Sequence, residues 1–309
     1  MTRLAPLAHS GPLDPGTADQ VRALASDAQA ADGVAPLSEQ PLLSLTADAP
    51  IVHLLARTAD DDVLAGYAQL DLGAPGSATA ELAVAPQARR RGVGRMLLDA
   101  ARAIATDDRS GDPGGRRFSV WAHGDLPAAR ALAASAGLGV VRELWLMSLD
   151  LTAAPTSTAR APHGVVVRAF VPGQDEDAWR RANARAFAHH PEQGRITRED
   201  LAARMAEPWF DPAGFLLAER DGVLLGSVWT KVHPAGSTHG HVGEIYVVGV
   251  DPDAQGLGLG GALTRRGLEY LAGRGLTRAI LYTDGDNEIA IRAYTRAGFG
   301  REGVDVQFG

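Results

Sequence analysis

The run Val250-Asp-Pro-Asp-Ala-Gln-Gly-Leu-Gly-Leu-Gly-Gly-Ala-Leu263 decides how this chain is read. A strand-like stretch, His241 to Val250, leads into it, and a helical pattern follows. Glycine tolerates positive φ and lets backbone approach a ligand closely. The first N–H groups of the following helix lack intrahelical partners and carry partial positive charge. Such a turn suits a pyrophosphate, although taken alone it reads equally well as a ligand-free strand-to-helix turn. No Lys-Ser/Thr pair follows, so it is not a P-loop. A dinucleotide fingerprint would need a parallel βαβ unit and an acidic residue about 20 positions on.

The same pattern occurs earlier, as Val84-Ala-Pro-Gln-Ala-Arg-Arg-Arg-Gly-Val-Gly-Arg-Met-Leu97. At one constant offset Val84 matches Val250, Pro86 matches Pro252, Gly92 matches Gly258, Gly94 matches Gly260 and Leu97 matches Leu263. Each copy lies between a β-rich run and a helix, which argues for duplication. Val93, Met96, Leu97, Ala100, Ala101 and Ile104 line one helical face. Ile51 to Ala56 and Val63 to Leu72 read as strands joined at Asp60 to Asp62. Phe215 to Glu219 and Val223 to Val232 read as a hairpin turning at Asp221-Gly222. Ile280 to Thr283 reads as a strand, and Asn287 to Ala297 as a helix closed by Gly298. The fold expected is α/β, a mixed α+β sheet with helices packed on it, built twice.

The length, 309 residues, suits two domains of about 150 residues each. The stretch Leu151-Thr-Ala-Ala-Pro-Thr-Ser-Thr-Ala-Arg-Ala-Pro-His-Gly164 has neither helical nor strand periodicity. It reads as a linker between a domain over 1–150 and one over 165–309. The chain has no cysteine, which excludes disulfides, thiolate metal sites and a cysteine nucleophile. That usage fits a cytoplasmic enzyme. With a net charge of −7 and Arg89-Arg90-Arg91 as the one short basic run, no nucleic-acid partner is expected. No apolar run approaches the roughly 20 residues that span a bilayer, and no secretory leader is apparent. Arginine supplies nearly all positive charge, beside the single lysine Lys231, as in genomes of high GC content.

Arg89-x-x-Gly92-x-Gly94 and Gln255-x-x-Gly258-x-Gly260 resemble motif A of the GNAT N-acetyltransferases. Asp286-Asn287-x-x-Ala290-Ile-Arg292-x-Tyr294-x-x-x-Gly298-Phe299 looks like the family's motif B. The resemblance implies two tandem acyl-CoA N-acyltransferase domains with acetyl-CoA as co-substrate and no metal. Backbone of Val248, Gly249 and Val250 would then pair with the pantetheine arm. Gln255, Gly256, Leu257, Gly258, Leu259, Gly260 and Gly261 would hold the pyrophosphate, with Asn287 and Arg292 alongside. The matching positions of the first half are Leu82, Ala83, Val84, Arg89, Arg90, Arg91, Gly92, Val93, Gly94 and Arg95.

Four further stretches resemble a narrower family, the tandem mycothiol synthases of actinobacteria. These are Asp32-Gly-Val-Ala-Pro-Leu-Ser-Glu39-Gln, His190-Pro-Glu192-Gln-Gly, Trp229-Thr-Lys231-Val-His-Pro and Gly243-Glu244-Ile-Tyr-Val-Val-Gly-Val-Asp-Pro252. That family acetylates the cysteinyl amine of a cysteinyl-glucosaminyl-inositol. The resemblance implies substrate contacts from Glu39, Glu192, Lys231, Glu244 and Tyr282, and Glu39 would bring the first half to the substrate. A monomer is expected.

Acetyl transfer from a thioester to an amine needs a base for the ammonium, a donor for the oxyanion and a proton for the leaving thiolate. Glu244 suits the base, directly or through a water. Tyr294 suits the acid, because a phenol titrating near 10 keeps its proton at neutral pH. At the constant offset Glu244 falls on Ala78, and in the region matching the motif B helix, Asp125 to Gly137, Leu132 or Ala133 falls where Tyr294 would be, depending on a small gap. The first half is therefore expected to keep the CoA turn but not catalyse. His189, His190, His233, His239 and His241 lack metal-ligand spacing and read as loop histidines. An acetyltransferase for another amine and a non-enzymatic acyl-CoA sensor remain open.

Overall fold

The computed structural model describes residues 6–58, 61–107, 115–152, 160–188, 193–235, 237 and 239–309. Glu192, His189, His190, Asp60 and half of the expected linker, residues 153–159, lie outside these.

In chain order the elements are β1 (Leu7–Ser10), α1 (Pro15–Asp32), α2 (Glu39–Leu43), β2 (Ile51–Arg57), β3 (Leu64–Asp71) and β4 (Ser77–Val84). Next come α3 (Val93–Ala105), β5 (Arg117–Ala122), α4 (Pro127–Ser135) and β6 (Val140–Asp150). The second half runs β7 (Val166–Ala169), α5 (Glu176–Ala186), α6 (Arg198–Met205), β8 (Phe215–Arg220), β9 (Val223–Val232) and β10 (Gly243–Val250). It ends with α7 (Leu259–Gly273), β11 (Arg278–Asp284), α8 (Glu288–Arg296) and β12 (Gly300–Phe308). No described helix is long and apolar enough to cross a membrane.

Both halves lay down the same pairing sequence. In the first, β1–β2, β2–β3 and β3–β4 are antiparallel and β4–β5 is parallel. In the second, β7–β8, β8–β9 and β9–β10 are antiparallel and β10–β11 is parallel. A parallel pair needs a crossover, which α3 and α7 supply. The Asp221-Gly222 turn has φ of 54° and 76°, the left-handed pair a tight hairpin requires.

The chain forms two compact units, 1–144 with 304–309, and 145–303. The division falls inside β6 and β12. Residues 304–309 thus belong with the first half, whereas the sequence boundaries put them in the second domain. Their hydrogen bonds explain why. Val306, Gln307 and Phe308 pair antiparallel with Ala122, Trp121 and Val120 of β5. Val306 and Phe308 are buried in the first unit's core, among Leu54, Leu70, Leu97 and Leu98. The apolar face expected of α3 is the buried one: Val93, Leu97 and Ala101 are buried, and Met96, Ala100 and Ile104 border the same core.

A polar cluster ties Asp305 into this unit. His123 Nε2 lies 3.1 Å from Glu81 Oε2, and its Nδ1 lies 3.0 Å from Asp305 Oδ2. Ser38 donates its backbone N–H and its hydroxyl to Glu81 at 2.6 and 2.7 Å. The Gly124 N–H donates to Asp305 at 2.7 Å. Burial opposes a charge on His123, but Glu81 and Asp305 outweigh it and push the imidazole up to about 10.

The second unit has two cores. α7 packs Leu259, Leu263, Leu268 and Leu271 on Val228 and Ile245. On the opposite face an aromatic stack joins Phe170, Trp179, Phe215 and Trp229, with Phe215 and Trp229 parallel at 4.4 Å. Such rings contribute their large buried area and about 0.5–1.5 kcal/mol per well-placed pair.

Candidate active site

The site grows from one irregularity in β10. Against β9, Glu244 opposes Lys231, Ile245 opposes Thr230 and Val247 opposes Trp229. Tyr246 is an extra residue, so this is a β-bulge, a device that re-aims side chains. On the other edge, β10 registers with β11 at Gly243↔Ala279, Glu244↔Ile280 and Ile245↔Leu281, and the register stops at the bulge. Beyond it, Val248, Gly249 and Val250 pair with Val228, Ser227 and Gly226 on β9. Their second edge has left its parallel neighbour. Such an edge can take an extended ligand as an added strand.

That edge leads to the glycine turn. Gly256 and Gly258 adopt φ of 80° and 75°, and Gly258 is the N-cap of α7. The first N–H groups of α7 therefore face outward at a turn that anions favour. The first unit keeps this shape with a different residue: Arg90 takes φ 60° where Gly256 stands, and Gly92 caps α3 at 87°. A side chain in that region costs about 1–2 kcal/mol.

The arginines divide. Arg90 and Arg91 are exposed. Arg89 instead donates to both oxygens of Asp32, at 2.7 and 2.8 Å, and to the Val84 carbonyl at 3.3 Å. Arg95 pairs with Asp99 and Arg292 with Glu288, each at 2.8 Å on the surface.

Glu244 is 7% exposed and meets His233 Nε2 at 2.6 Å. The His233 N–H donates to the Val242 carbonyl, which fixes its start of the β9–β10 loop. The His239 ring lies 5.5 Å away, edge to face, and Tyr282 Oη is 3.1 Å from His239 Nε2. Burial lowers the His239 pKa, and His233 beside it adds to this, so His239 stays neutral. Lys231 Nζ lies 4.5 Å from the Trp209 ring and 5.3 Å from that of Tyr246, in cation–π contact. Arg204 donates to the Tyr246 hydroxyl at 2.9 Å. Glu244, Lys231 and Tyr282 are thus gathered in one place. Glu39 opens α2 in the other unit.

Among these residues the sequence points to no role for Trp209 and Tyr246, and it reads His233 and His239 only as loop histidines. One signal was available: Lys231-x-His233 places two polar groups on the same side of a strand. Among the described residues no group of three metal-ligating side chains gathers.

Tyr294 is placed by a helix ending. The Gly298 N–H returns to Thr295 O and the Phe299 N–H to Tyr294 O, with Gly298 at φ 100°. This is a Schellman motif, and its apolar contact joins Tyr294 and Phe299 with ring centroids 6.0 Å apart. Burial pushes the Tyr294 phenol up to about 12, so it keeps its proton at neutral pH. Asn287 caps the same helix, accepting from the Ala290 N–H at 3.1 Å.

The first unit permits a position-by-position comparison. Its β3–β4 register, Gly66↔Val84 to Asp71↔Thr79, contains no bulge. The constant offset therefore fails upstream of Tyr246, and the counterpart of Glu244 is Thr79, not Ala78. Thr79 lies opposite Asp71 as Glu244 lies opposite Lys231, and its Oγ1 is 3.3 Å from Ser119 Oγ. Helix α4 ends like α8, with Gly137 N–H to Ala134 O and Leu138 N–H to Ala133 O. Ala133 thus holds the place of Tyr294, which settles the choice between Leu132 and Ala133.

Comparison with known proteins agrees with the repeat. A model described as the Acetyltransferase (GNAT) family matches residues 178–299, and one described as an Acetyltransferase (GNAT) domain matches 51–132. A mycothiol acetyltransferase of Cellulomonas flavigena is 61% identical, over 97% of this chain and 87% of that protein. One from Sanguibacter keddieii is 58% identical, over 96% and 94%. The chain belongs to the mycothiol acetyltransferase family, within the GNAT N-acetyltransferases. Among solved structures, a GCN5-related N-acetyltransferase from Sphaerobacter thermophilus aligns with a TM-score of 0.67 at 26% identity, covering 98% of this chain and 94% of that one. A tandem GNAT protein from the clavulanic acid biosynthesis pathway aligns at 0.70 and 20% identity, covering 99% and 97%, and shares the fold. The chain is therefore an N-acetyltransferase with two GNAT domains.

Proposed function

We propose that this enzyme transfers the acetyl group of acetyl-CoA to the cysteinyl amine of cysteinyl-glucosaminyl-inositol, the last step of mycothiol formation. The reading is supported by relatives of that name at up to 61% identity over nearly the whole chain. The observation that carries the mechanism is the buried Glu244 carboxylate at the point where β10 parts from β11.

The cofactor's pyrophosphate fits the Gly256–Gly258 turn and the first N–H groups of α7, and its pantetheine arm fits the freed edge of Val248 to Val250. Acetyl-CoA supplies the activated acyl group. Glu244 takes a proton from the substrate ammonium, directly or through a water, and frees the lone pair for attack. Tyr294, protonated at neutral pH, donates to the departing sulfur. Lys231 and Tyr282 flank Glu244, and with Glu39 and Glu192 they are the proposed contacts to the sugar, inositol and cysteinyl groups. The first unit has Thr79 and Ala133 in the places of Glu244 and Tyr294, so it is proposed to be non-catalytic.

The test is thiol release from acetyl-CoA by purified protein offered cysteinyl-glucosaminyl-inositol, an aminoglycoside or a peptide amine. Preference for the cysteinyl sugar, lost on Glu244→Gln or Tyr294→Phe, is the expected result. Equal turnover of all three amines would discard the pathway.

A further inference from the structure

The proton balance of the reaction asks for a group that the two proposed catalytic residues do not provide. An alkylammonium and a thioester become an amide, a thiol and one proton. As the C–N bond forms and the C–S bond breaks, the nitrogen sheds two protons. One ends on the sulfur. The other must reach water in every turnover, or Glu244 stays protonated and the next ammonium finds no base. The Glu244 side chain is only 9% exposed.

We propose that His233 is the group through which this proton leaves. The inference rests on the reading of Glu244 as the base. Glu244 Oε2 and His233 Nε2 lie 2.6 Å apart, so transfer runs along an existing hydrogen bond. With its Nε2 lone pair facing the protonated Glu244, a neutral imidazole takes the proton on Nε2 and releases the one on Nδ1, which restores both charges; a ring flip or tautomer exchange then restores the starting tautomer. His233 begins the β9–β10 loop, which also carries His239 and the exposed His241. The groups facing His233 are Glu244 from β10 and His239 from its own loop. Tyr282 of β11 contacts His239, and Arg278 of β11 and Glu302 of β12 act on its charge. The plainer role would be to fix the Glu244 rotamer, which any hydrogen-bond donor would do.

Two variants separate these roles. His233→Gln keeps a donor but carries no proton away, and His233→Ala leaves space for free imidazole. With acetyl-CoA and cysteinyl-glucosaminyl-inositol, kcat is expected to fall roughly 10- to 100-fold in both, less than the roughly 10²- to 10⁴-fold of a lost acid–base group, because Glu244 itself remains. KM for acetyl-CoA should stay within about twofold, and imidazole should restore His233→Ala saturably. A kcat and kcat–pH profile of His233→Gln matching wild type would overturn the proposal, as would a slow His233→Ala indifferent to imidazole. Glu244→Gln, run alongside, keeps the two readings apart. An active Glu244→Gln removes the base itself, whereas an inactive one beside a normal His233→Gln removes only the relay. Should the His233 variants not fold, ¹⁵N-histidine spectra of the wild type decide: an imidazole whose charge is constant across the pH range where kcat changes refutes the role.

Discussion

Replacing His123 by glutamine would keep a hydrogen-bond donor between Glu81 and Asp305 while removing the positive charge. Raising the imidazole from 6.5 to about 10 corresponds to roughly 5 kcal/mol, at about 1.4 kcal/mol per tenfold change in proton affinity. Measured losses on breaking buried pairs, about 3–5 kcal/mol, fall in the same range. The sign follows from the direction of the shift. The folded state holds this proton more tightly than the unfolded chain, so the stabilisation is complete below about pH 6.5. It declines as pH rises and is gone above about 10. Urea denaturation of wild type and His123→Gln at a series of pH values tests this. At pH 6 the variant should be less stable by roughly 3–5 kcal/mol, a Tm drop on the order of 6–20 °C. By pH 10 the two curves should nearly coincide. Wild type and variant remaining a constant distance apart from pH 6 to 10 would refute the electrostatic account.

Three other outcomes follow from the same geometry. Tyr294→Phe removes only a hydroxyl from a packed ring, so kcat should fall about 10²- to 10⁴-fold while the melting temperature barely moves; steady-state kinetics and a melt read both. Gly258→Ala meets no neighbour within 4 Å, yet φ of +75° strains any side chain; it should lose about 1–2 kcal/mol of stability by denaturant titration, with a raised KM for acetyl-CoA. His53, fully buried beside Tyr67, is held down to about 4, first by burial and then by His9. The unfolded chain takes that proton first, so stability should fall as pH drops from about 6.5 to about 4, and acid titration of His53→Gln should show a shallower loss.

Periodicity and turn chemistry made much of the fold legible. The hairpin at Asp221-Gly222, the cap at Gly298 and the apolar face of α3 each depend on residues close in sequence. The bulge at Tyr246 was not legible, because its cause is a register against β9, and an ungapped repeat hides one extra residue. That is why Glu244 was matched to Ala78 instead of Thr79. The proposed site followed the same division. The glycine turn and Glu244 were readable from motifs, whereas the pairing of His233 with Glu244 arises only when β9 and β10 are set side by side. Arg89, read as a cofactor contact, turns instead to Asp32 at the end of α1, a partner that distance along the chain conceals.

The placement of residues 304–309 with the first unit has a consequence for how the protein is made. Domains usually fold as they leave the ribosome, the first before the second. Here the first unit lacks a core strand, with Val306 and Phe308 on it, until synthesis has passed the whole of the second. Residues 145–303 can close their own sheet while the earlier segment still waits with an open edge beside β5. The order of completion is the reverse of the order of translation, and a ribosome that stalls late would leave the earlier half, not the later one, unfinished.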